Sequence, residues 1–408
     1  MRLKDVAILN PKYDGEDLDN ELVSFSPMEC LRYDNLRPYT IPFKDARGKY
    51  TYFANNDVLF AKVTPCFENL NTAIASNLLN GIGFGSSEIN VLRFSDKCYI
   101  RYFFYLICSR QFIDKGCASM SGVGGLKRVN PLAVTTFEFE LPPRFEQETI
   151  ADYLDKECNK ITKEIDLLER KIKCYHSLQN SLINKVVTRG LNPNVSMKQS
   201  EIPFLNEIPE HWHICRIKDL FNERIELSET GTEDLLSVSE YYGVAKRADK
   251  VDGENITRSD SLIGYKICYV NDIISNIMLA WKGSLGKTKY NGIVSPAYGV
   301  YKPIVELNAS FYHYLFRTKI YKGIFRINSR GIIESRLRLY TTNFLGLSTV
   351  YPPIEEQNGI VNYLDEKCSK IDAIIEKIKL KIERLKELKR SLINEVITGQ
   401  RTIKTSDL

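Results

Sequence analysis

Pro142–Thr188 reads PPRFEQETIADYLDKECNKITKEIDLLERKIKCYHSLQNSLINKVVT, and Pro352–Thr398 reads PPIEEQNGIVNYLDEKCSKIDAIIEKIKLKIERLKELKRSLINEVIT. A shift of 210 positions lays one on the other without a gap, and 21 of the 47 pairs are identical. Pro142-Pro143 meets Pro352-Pro353, Glu146-Gln147 meets Glu356-Gln357, and Tyr153-Leu154-Asp155 meets Tyr363-Leu364-Asp365. Ser181-Leu182-Ile183-Asn184 meets Ser391-Leu392-Ile393-Asn394. Chance similarity between helical sequences rarely holds register that long, so the chain carries an internal duplication.

Each copy predicts one long helix. Apolar residues recur in steps of three and four at Ile150, Leu154, Cys158, Ile161, Ile165, Leu168, Ile172, Tyr175, Leu178, Leu182 and Val186. The second copy repeats the stripe at Ile360, Leu364, Cys368, Ile371, Ile375, Ile378, Ile382, Leu385, Leu388, Leu392 and Val396. Such spacing makes one apolar face on a Lys/Glu-rich helix, and residues 371 to 385 step 4-3-4-3, the rhythm of a two-helix seam. The Pro-Pro pairs end the preceding strand and suit a helix start. About 43 residues at 1.5 Å each span about 65 Å. A solvated helix packed on its own domain is the plain alternative, but two matching stripes in one chain favour mutual pairing.

The chain is long enough for two or three domains with proper cores. Its net charge of +5 permits a polyanionic partner without requiring one. MRLKDVAILN lacks the apolar run of a secretory leader, and no apolar stretch approaches about 18 residues, which points to a cytoplasmic protein. Ten scattered cysteines without a C-x-x-C pair read as reduced thiols rather than a disulfide or zinc framework.

The expected class is α+β, with two similar mixed α/β domains separated by two long helices that form an antiparallel intramolecular coiled coil. The order is a first domain at 1–145, a helix at 146–189, a linker at 190–204, a second domain at 205–354, a helix at 355–398 and a tail at 399–408. Phe137–Leu141 alternates as an edge strand should. The second domain repeats the first loosely. Arg2-Leu3-Lys4-Asp5 resembles Arg216-Ile217-Lys218-Asp219, Asn56-Asp57-Val58-Leu59 resembles Asn271-Asp272-Ile273-Ile274, and Tyr105-Leu106 has a counterpart in Tyr314-Leu315. Two near-copies of a rod thus accompany two divergent heads. A rod that sets spacing needs the same stripe twice, whereas heads that read different things must differ where they touch their targets.

No catalytic constellation is visible. Gly283-Ser-Leu-Gly286-Lys287-Thr288 imitates a phosphate loop, but Trp281 stands where the first glycine must be. Gly81, Gly83 and Gly85 have the wrong spacing for a dinucleotide fingerprint. Asn10-Pro11-Lys12-Tyr13 lacks the second proline of the adenine-methyltransferase motif, and Asn130-Pro131 and Asn192-Pro193 are no nearer. His211 and His213 flank Trp212 and read as a structural turn rather than a metal site.

Basic residues interleaved with aromatics and glycines are the better signal. Gly124-Gly125-Leu126-Lys127-Arg128 in the first head has a counterpart in Arg330-Gly331 through Arg336-Leu337-Arg338-Leu339-Tyr340. Lys44 and Arg47 lie beside Tyr50 and Tyr52, Lys246-Arg247 lie near Lys250, and Lys282 and Lys287 lie near Trp281. Arg and Lys bind phosphates, and Arg also reads guanine edges. Any one of these clusters is as readily a solvated surface. The recurrence of Lys127/Arg128 and Arg336/Arg338 at equivalent places sets that pair apart.

The passage Lys198-Gln-Ser-Glu-Ile-Pro-Phe-Leu-Asn-Glu-Ile-Pro209-Glu-His-Trp212, then Arg216-Ile-Lys218-Asp-Leu, resembles the approach to a target-recognition domain in the specificity (S) subunits of type I restriction–modification enzymes. So does the twice-repeated Pro-Pro, Glu-Gln, Tyr-Leu-Asp helix. The resemblance covers essentially the whole chain, although the first head begins at Met1-Arg2-Leu3-Lys4 without the Ile-Pro-Glu-x-Trp approach. It implies a non-catalytic subunit in which two recognition domains read the parts of a split, non-palindromic double-stranded DNA target. It also implies two methyltransferase (M) subunits that hold the S-adenosylmethionine, and restriction (R) subunits that use ATP and Mg. No cofactor is expected in this chain. Whether an R subunit joins is left open by the sequence, and a coiled-coil scaffold whose heads bind proteins is the rival reading. The helix-pairing residues expected to carry the ruler are Ile150, Leu154, Ile161, Ile165, Leu168 and Ile172 against Ile360, Leu364, Ile371, Ile375, Ile378 and Ile382.

Overall fold

Arg144–Arg189 and Ile354–Ile397 are each one unbroken helix, 46 and 44 residues long. A computed structural model describes residues 1–18, 21–122, 125–250 and 261–403. Both helices begin directly after their Pro-Pro pair, with the amides of Gln147 and Gln357 bonded to the carbonyls of Pro143 and Pro353. Both end on a glycine in the left-handed region, Gly190 at φ 73° and Gly399 at φ 70°. There an L side chain would be strained, and the turned-back amide closes the last helical turn.

The fold divides into two units. The first holds residues 1–169 and 379–408, the second residues 170–378. Each therefore contains a head, part of one long helix and the complementary part of the other. Within the first unit the start of the first helix and the end of the second share a core: Ile150, Leu154 and Cys158 pack with Leu392, Ile393 and Val396. Within the second unit Val186 and Val187 share a core with Ile360, Val361 and Leu364. Ends meeting starts is antiparallel pairing. Two cross-helix bonds repeat the register: Lys389 Nζ donates to Thr162 Oγ1 at 2.9 Å in the first unit, and Gln179 Nε2 donates to Asp372 Oδ1 at 3.1 Å in the second. Thr162 is the repeat partner of Asp372, and Gln179 of Lys389.

Ile371, Ile375, Ile378 and Ile382 are buried, whereas Ile161, Ile165, Leu168 and Ile172 are half-buried. Leu178 and Leu388 depart from the expected stripe. They are equivalent positions, and both are more than half exposed. The real period of 3.6 drifts off a strict 3.5 repeat, which leaves Gln179 and Lys389, one residue on, to make the cross-helix bonds.

The heads are built on one plan. The first unit has a four-stranded antiparallel sheet in the order Ala7–Leu9, Ile89–Phe94, Val58–Ala61, Thr72–Ile74. The second has Phe221–Glu223, Tyr298–Pro303, Ile273–Asn276, Leu285–Lys287 in the same order. Asn56 and Asn271 both turn the chain at positive φ, a conformation asparagine tolerates. The next residues, Asp57 and Asp272, are buried and each forms two bonds to an arginine, Arg93 and Arg224. Apolar helices follow each sheet, Ile100–Ile107 and Arg110–Ala118 in one, Ala309–Phe316 and Lys319–Ile327 in the other. Ser109 and Thr318 cap the second of each pair.

Both heads carry a second set of strands, continuous in one and broken in the other. The first unit adds a sheet of Tyr39–Pro42, Leu22–Ser26, Ile82–Gly85 and Thr51–Ala54. Gly83 stands in it because a Cβ there would lie 2.4 Å from the Phe53 ring. The second unit has the corresponding strands as two antiparallel pairs, Leu236–Ser239 with Gly243–Lys246 and Lys266–Cys268 with Gly292–Val294, joined by a single parallel bridge between Leu235 and Ile293. Within residues 190–204, Met197–Gln199 pairs with Glu207–Pro209. One expectation needs correction. Phe137–Leu141 is not a regular strand: a single bridge joins Glu138 to Arg2, flanked by bonds from Met1 and Leu3, whereas its counterpart Ser348–Tyr351 pairs fully with His213–Arg216.

Candidate nucleic-acid interface

The repeated residues of the long helices are where each head is held. Gln147 is 1% exposed; its amide oxygen accepts from Tyr99 N–H at 2.8 Å and its amide nitrogen donates to the Pro142 carbonyl at 2.9 Å. Gln357, at 0%, does the same with Asn308 N–H and the Pro352 carbonyl. A glutamine amide offers both a donor and an acceptor, so it closes the open N-terminus of the head's first helix onto the rod. Tyr105 Oη donates to Asp155 at 2.6 Å and Tyr314 Oη donates to Asp365 at 2.5 Å. In the first unit Arg101 joins this contact, bridging Asp155 and Asp34. In the second, Glu356 accepts from buried Trp212 Nε1 at 2.9 Å and bonds His211 Nε2 at 2.7 Å. The Glu-Gln and Tyr-Leu-Asp motifs thus fasten head to helix.

The recurring basic loops are structurally equivalent. Ser121 bridges Arg128, and Arg330 bridges Arg338, closing a loop in each head. Gly122 at φ 150° and Gly331 at φ 151° open these loops, and a Cβ at either would lie within 2.5 Å of a carbonyl across the loop. Lys127 and Arg336 are exposed on them, beside exposed Leu126, Ile332 and Ile333. Gly124 lies outside the described residues. Arg128 is engaged: it forms a bidentate pair with Glu88, with Nη2–Oε1 at 2.7 Å and Nε–Oε2 at 2.9 Å. That bond holds the Glu88 carboxyl below the usual carboxylate range.

In the second unit the turn Ala280–Lys282 stands beside this loop. Trp281 takes Lys282 and Arg326 against its ring, at 5.1 and 5.3 Å from the centroid. A cleft of about 480 Å³ is lined by Met278, Leu279, Trp281, Lys282, Glu334 and Arg338. Lys282 and Arg338, far apart in sequence, therefore share one surface. Lys287 does not join them. Its ammonium donates to Ser310 Oγ at 2.7 Å and is half-buried, and burial pulls its pKa down. Gly286 beside it is required by packing, because a Cβ would lie 2.5 Å from the His313 ring. The phosphate-loop imitation is thus a core contact.

The remaining candidates are scattered. Lys246 pairs with Asp234 at 2.6 Å and lies over Tyr290, and Arg247 opens a short turn to Asp249. Arg47 pairs with Asp17 at 2.9 Å and covers Phe43, and Lys44 is exposed on the same turn. Among the described residues no three His, Cys, Asp or Glu side chains stand together as metal ligands, and no helix is long and apolar enough to cross a membrane.

Sequence reasoning passed over Tyr241 and Arg317. Tyr241 is 85% exposed at the tip joining Leu236–Ser239 to Gly243–Lys246. Arg317 donates from Nη1 to the carbonyls of Ser239, Gly283 and Leu285, and from Nη2 to those of Glu240 and Tyr241. Burial lowers the pKa of this guanidinium. Two adjacent tyrosines ahead of a glycine, between short β-rich runs, were the available signal for an exposed tip. In the first unit Tyr39 and Tyr50 are exposed on either side of Phe25, and Thr51, next to Tyr50, pairs with Gly85, three residues before the Glu88 that holds Arg128.

Known proteins share this arrangement. The solved structure of a type I restriction–modification system described for its complex assembly and conformational transition includes a chain that superimposes with a TM-score of 0.70 at 15% identity, covering 98% of this chain and 97% of that one. The HsdS subunit of Thermoanaerobacter tengcongensis gives 0.50 at 16%, covering 98% and 96%. In sequence, the EcoAI specificity subunit of Escherichia coli is 40% identical over 149 residues, 36% of this chain and 25% of that protein. The EcoEI specificity subunit of the same species is 34% identical over 158 residues, 38% of this chain and 26% of that protein. The chain therefore matches about a quarter of the length of each of those two relatives. The MjaVIII specificity subunit of Methanocaldococcus jannaschii is 24% identical over 324 residues, 74% of this chain and 70% of that protein. The family model described as the type I restriction modification DNA specificity domain matches twice, over residues 1–170 and 209–384. With both heads and most of both helices inside those two matches, the chain belongs to the type I restriction modification DNA specificity family.

Proposed function

We propose that this chain recognises a bipartite, non-palindromic DNA target and positions methyltransferase subunits on it, with no catalysis of its own. The observation that carries the reading is the contrast between two heads with one core and a shared fastening to the helices, but different loops and exposed side chains on the outer strands. Shared fastening suits a shared geometric duty, and different outer loops suit different half-targets. The basic loops bearing Lys127 and Arg336, with Lys282 and Arg338 on the neighbouring cleft, supply phosphate and base contacts. Lys44, Arg47, Lys246 and Arg247 serve as peripheral backbone contacts, and Lys287 drops out because it is turned inward.

The helices act as the ruler: about 46 residues at 1.5 Å make a rod of about 69 Å. Two M subunits dock at equivalent places on the repeats, for which exposed Leu178 and Leu388 are a matching pair of contacts. S-adenosylmethionine, and ATP with Mg where R subunits take part, belong to those partners. The complex works on the host's DNA in the cytoplasm.

The test is to express the chain with its neighbouring methyltransferase gene and sequence the host's methylated adenines. A new split motif is expected, and its absence overturns the reading. Binding of the complex to a duplex carrying that motif must weaken with salt and fail on scrambled DNA. A scaffold whose heads bind proteins would show neither.

A further inference from the structure

A hairpin tip standing in water ordinarily has its carbonyls hydrated and its backbone free to move. At Ser239, Glu240 and Tyr241 three consecutive carbonyls are instead taken by one guanidinium, that of Arg317, which also takes the carbonyls of Gly283 and Leu285. Arginine can do this because its donors lie in a rigid planar fork. Ordering the tip costs conformational entropy, and it brings no side chain into the core, since Tyr241 is 85% exposed. The next residue is also fixed: Tyr242 Oη bonds Ser237 Oγ at 3.1 Å, and Lys250 Nζ lies 5.2 Å from its ring centroid. Because Gly283 follows Lys282 directly, the same guanidinium fixes the tip against the turn that carries Lys282 and Trp281. A rigid, exposed aromatic beside a cationic turn is a preorganised contact surface. A tyrosine brings a ring face for a thymine methyl or sugar and a hydroxyl for a base edge or phosphate.

We infer that Tyr241 is a DNA contact of the second unit, made by the tip between Ser239 and Gly243, and that Arg317 is the positioning residue that holds it there. This rests on the DNA-recognition reading and assigns part of that recognition to a three-residue tip, where the corresponding pair of the first unit, Leu22–Ser26 with Tyr39–Pro42, has a longer connection. The test uses the full chain in complex with its methyltransferase partner. The probes are a duplex with the split motif found by methylation sequencing and two duplexes in which one or the other half is scrambled.

Tyr241→Ala should weaken binding to the intact motif about tenfold. The loss should disappear when one particular half is scrambled and persist when the other is. Arg317→Lys keeps a charge but cannot span five carbonyls. It should reproduce the same loss on the same half and add nothing in a Tyr241→Ala background. If the wild-type complex yields no motif, the recognition reading falls and this inference with it. If the wild type binds and Tyr241→Ala binds equally well, or loses equally on both half-scrambled probes, the inference alone is overturned. Should Arg317→Lys weaken both halves alike, or add to Tyr241→Ala, Arg317 is a core residue and its positioning role is withdrawn. Tyr241→Ala cannot disturb a core it does not touch, so the contact itself stays testable if the arginine variant folds poorly.

Discussion

The two units answer the same demands differently at their edges and with the same central contacts at their base. Both use a buried Asp–Arg pair beneath the central sheet, a glutamine to close a helix N-terminus onto the rod, and a tyrosine to reach the rod's aspartate. Above that base the first unit carries a continuous four-stranded sheet with Tyr39 and Tyr50 exposed on it, and the second carries the corresponding strands as two pairs with Tyr241 at a tip. At the helices the divergence is smaller: Lys389 over Tyr33 and Arg101 between Asp34 and Asp155 in the first unit, Glu356 with Trp212 and His211 in the second. A fastening must satisfy fixed buried partners, so its chemistry is less free to change, whereas an exposed loop answers only to its target.

The largest effect expected is at the seam. Ile375→Asp puts a carboxylate at a position 2% exposed and should cost about 4 kcal/mol or more. Ile165→Asp, at a half-buried site, should cost about half that. Thermal unfolding of both variants checks the order, and equal losses would mean the two helices are buried alike. Methylation of the split motif should fall with either, and unaltered modification would sink the ruler.

Next come the fastenings. Gln147→Ala and Gln357→Ala each strand an amide and a carbonyl and should cost about 1–3 kcal/mol. Denaturant midpoints should shift by similar amounts for the two. A large inequality would break the claim that both heads are held the same way.

Acid should separate the units. All four histidines, at 176, 211, 213 and 313, fall in the second. The His313 ring is enclosed by Gly243 and Gly286, and its Nδ1 accepts from Lys287 N–H at 3.2 Å. Burial first, then Arg317, Lys287 and Lys289, lower its pKa from 6.5 to about 3. A folded-state value below the ordinary one means the stabilisation is complete above pH 6.5 and is lost as pH falls toward 3. Partial exposure trims the loss to about 1 kcal/mol at pH 5. His313→Gln should flatten that slope in unfolding scans, and an unchanged slope would assign it to other groups.

The smallest effect on folding is expected at Leu178→Glu and Leu388→Glu, within about 0.5 kcal/mol because both side chains face water. Each should nonetheless weaken assembly with the methyltransferase. Mass measurement of the complex should show one partner lost per substitution, and full retention by the double variant would place docking elsewhere.

Much of this was readable in advance because it is periodic or repeated. The two long helices and the kinship of the heads follow from patterns that neighbouring residues impose on one another. The equivalence of the Lys127/Arg128 and Arg336/Arg338 loops was legible for the same reason. The purpose of Glu-Gln and Tyr-Leu-Asp was not, because their partners at Tyr99, Tyr105, Asn308 and Tyr314 lie about fifty residues away. Basic candidates proved harder still: Lys282 and Lys287 look alike in sequence, yet one covers Trp281 at the surface and the other bonds Ser310 beneath it.

The duplication at Pro142–Thr188 and Pro352–Thr398 was enough to predict two long helices, since helical periodicity is set by 3.6 residues per turn and needs no distant information. Only the tertiary structure decided that Thr162 answers Lys389 and Gln179 answers Asp372, that Arg128 is held by Glu88, and that Arg317 grips the Tyr241 tip. Those are matters of which polar groups are left without water when the chain closes on itself, and a donor's nearest acceptor then has no relation to its neighbours along the chain.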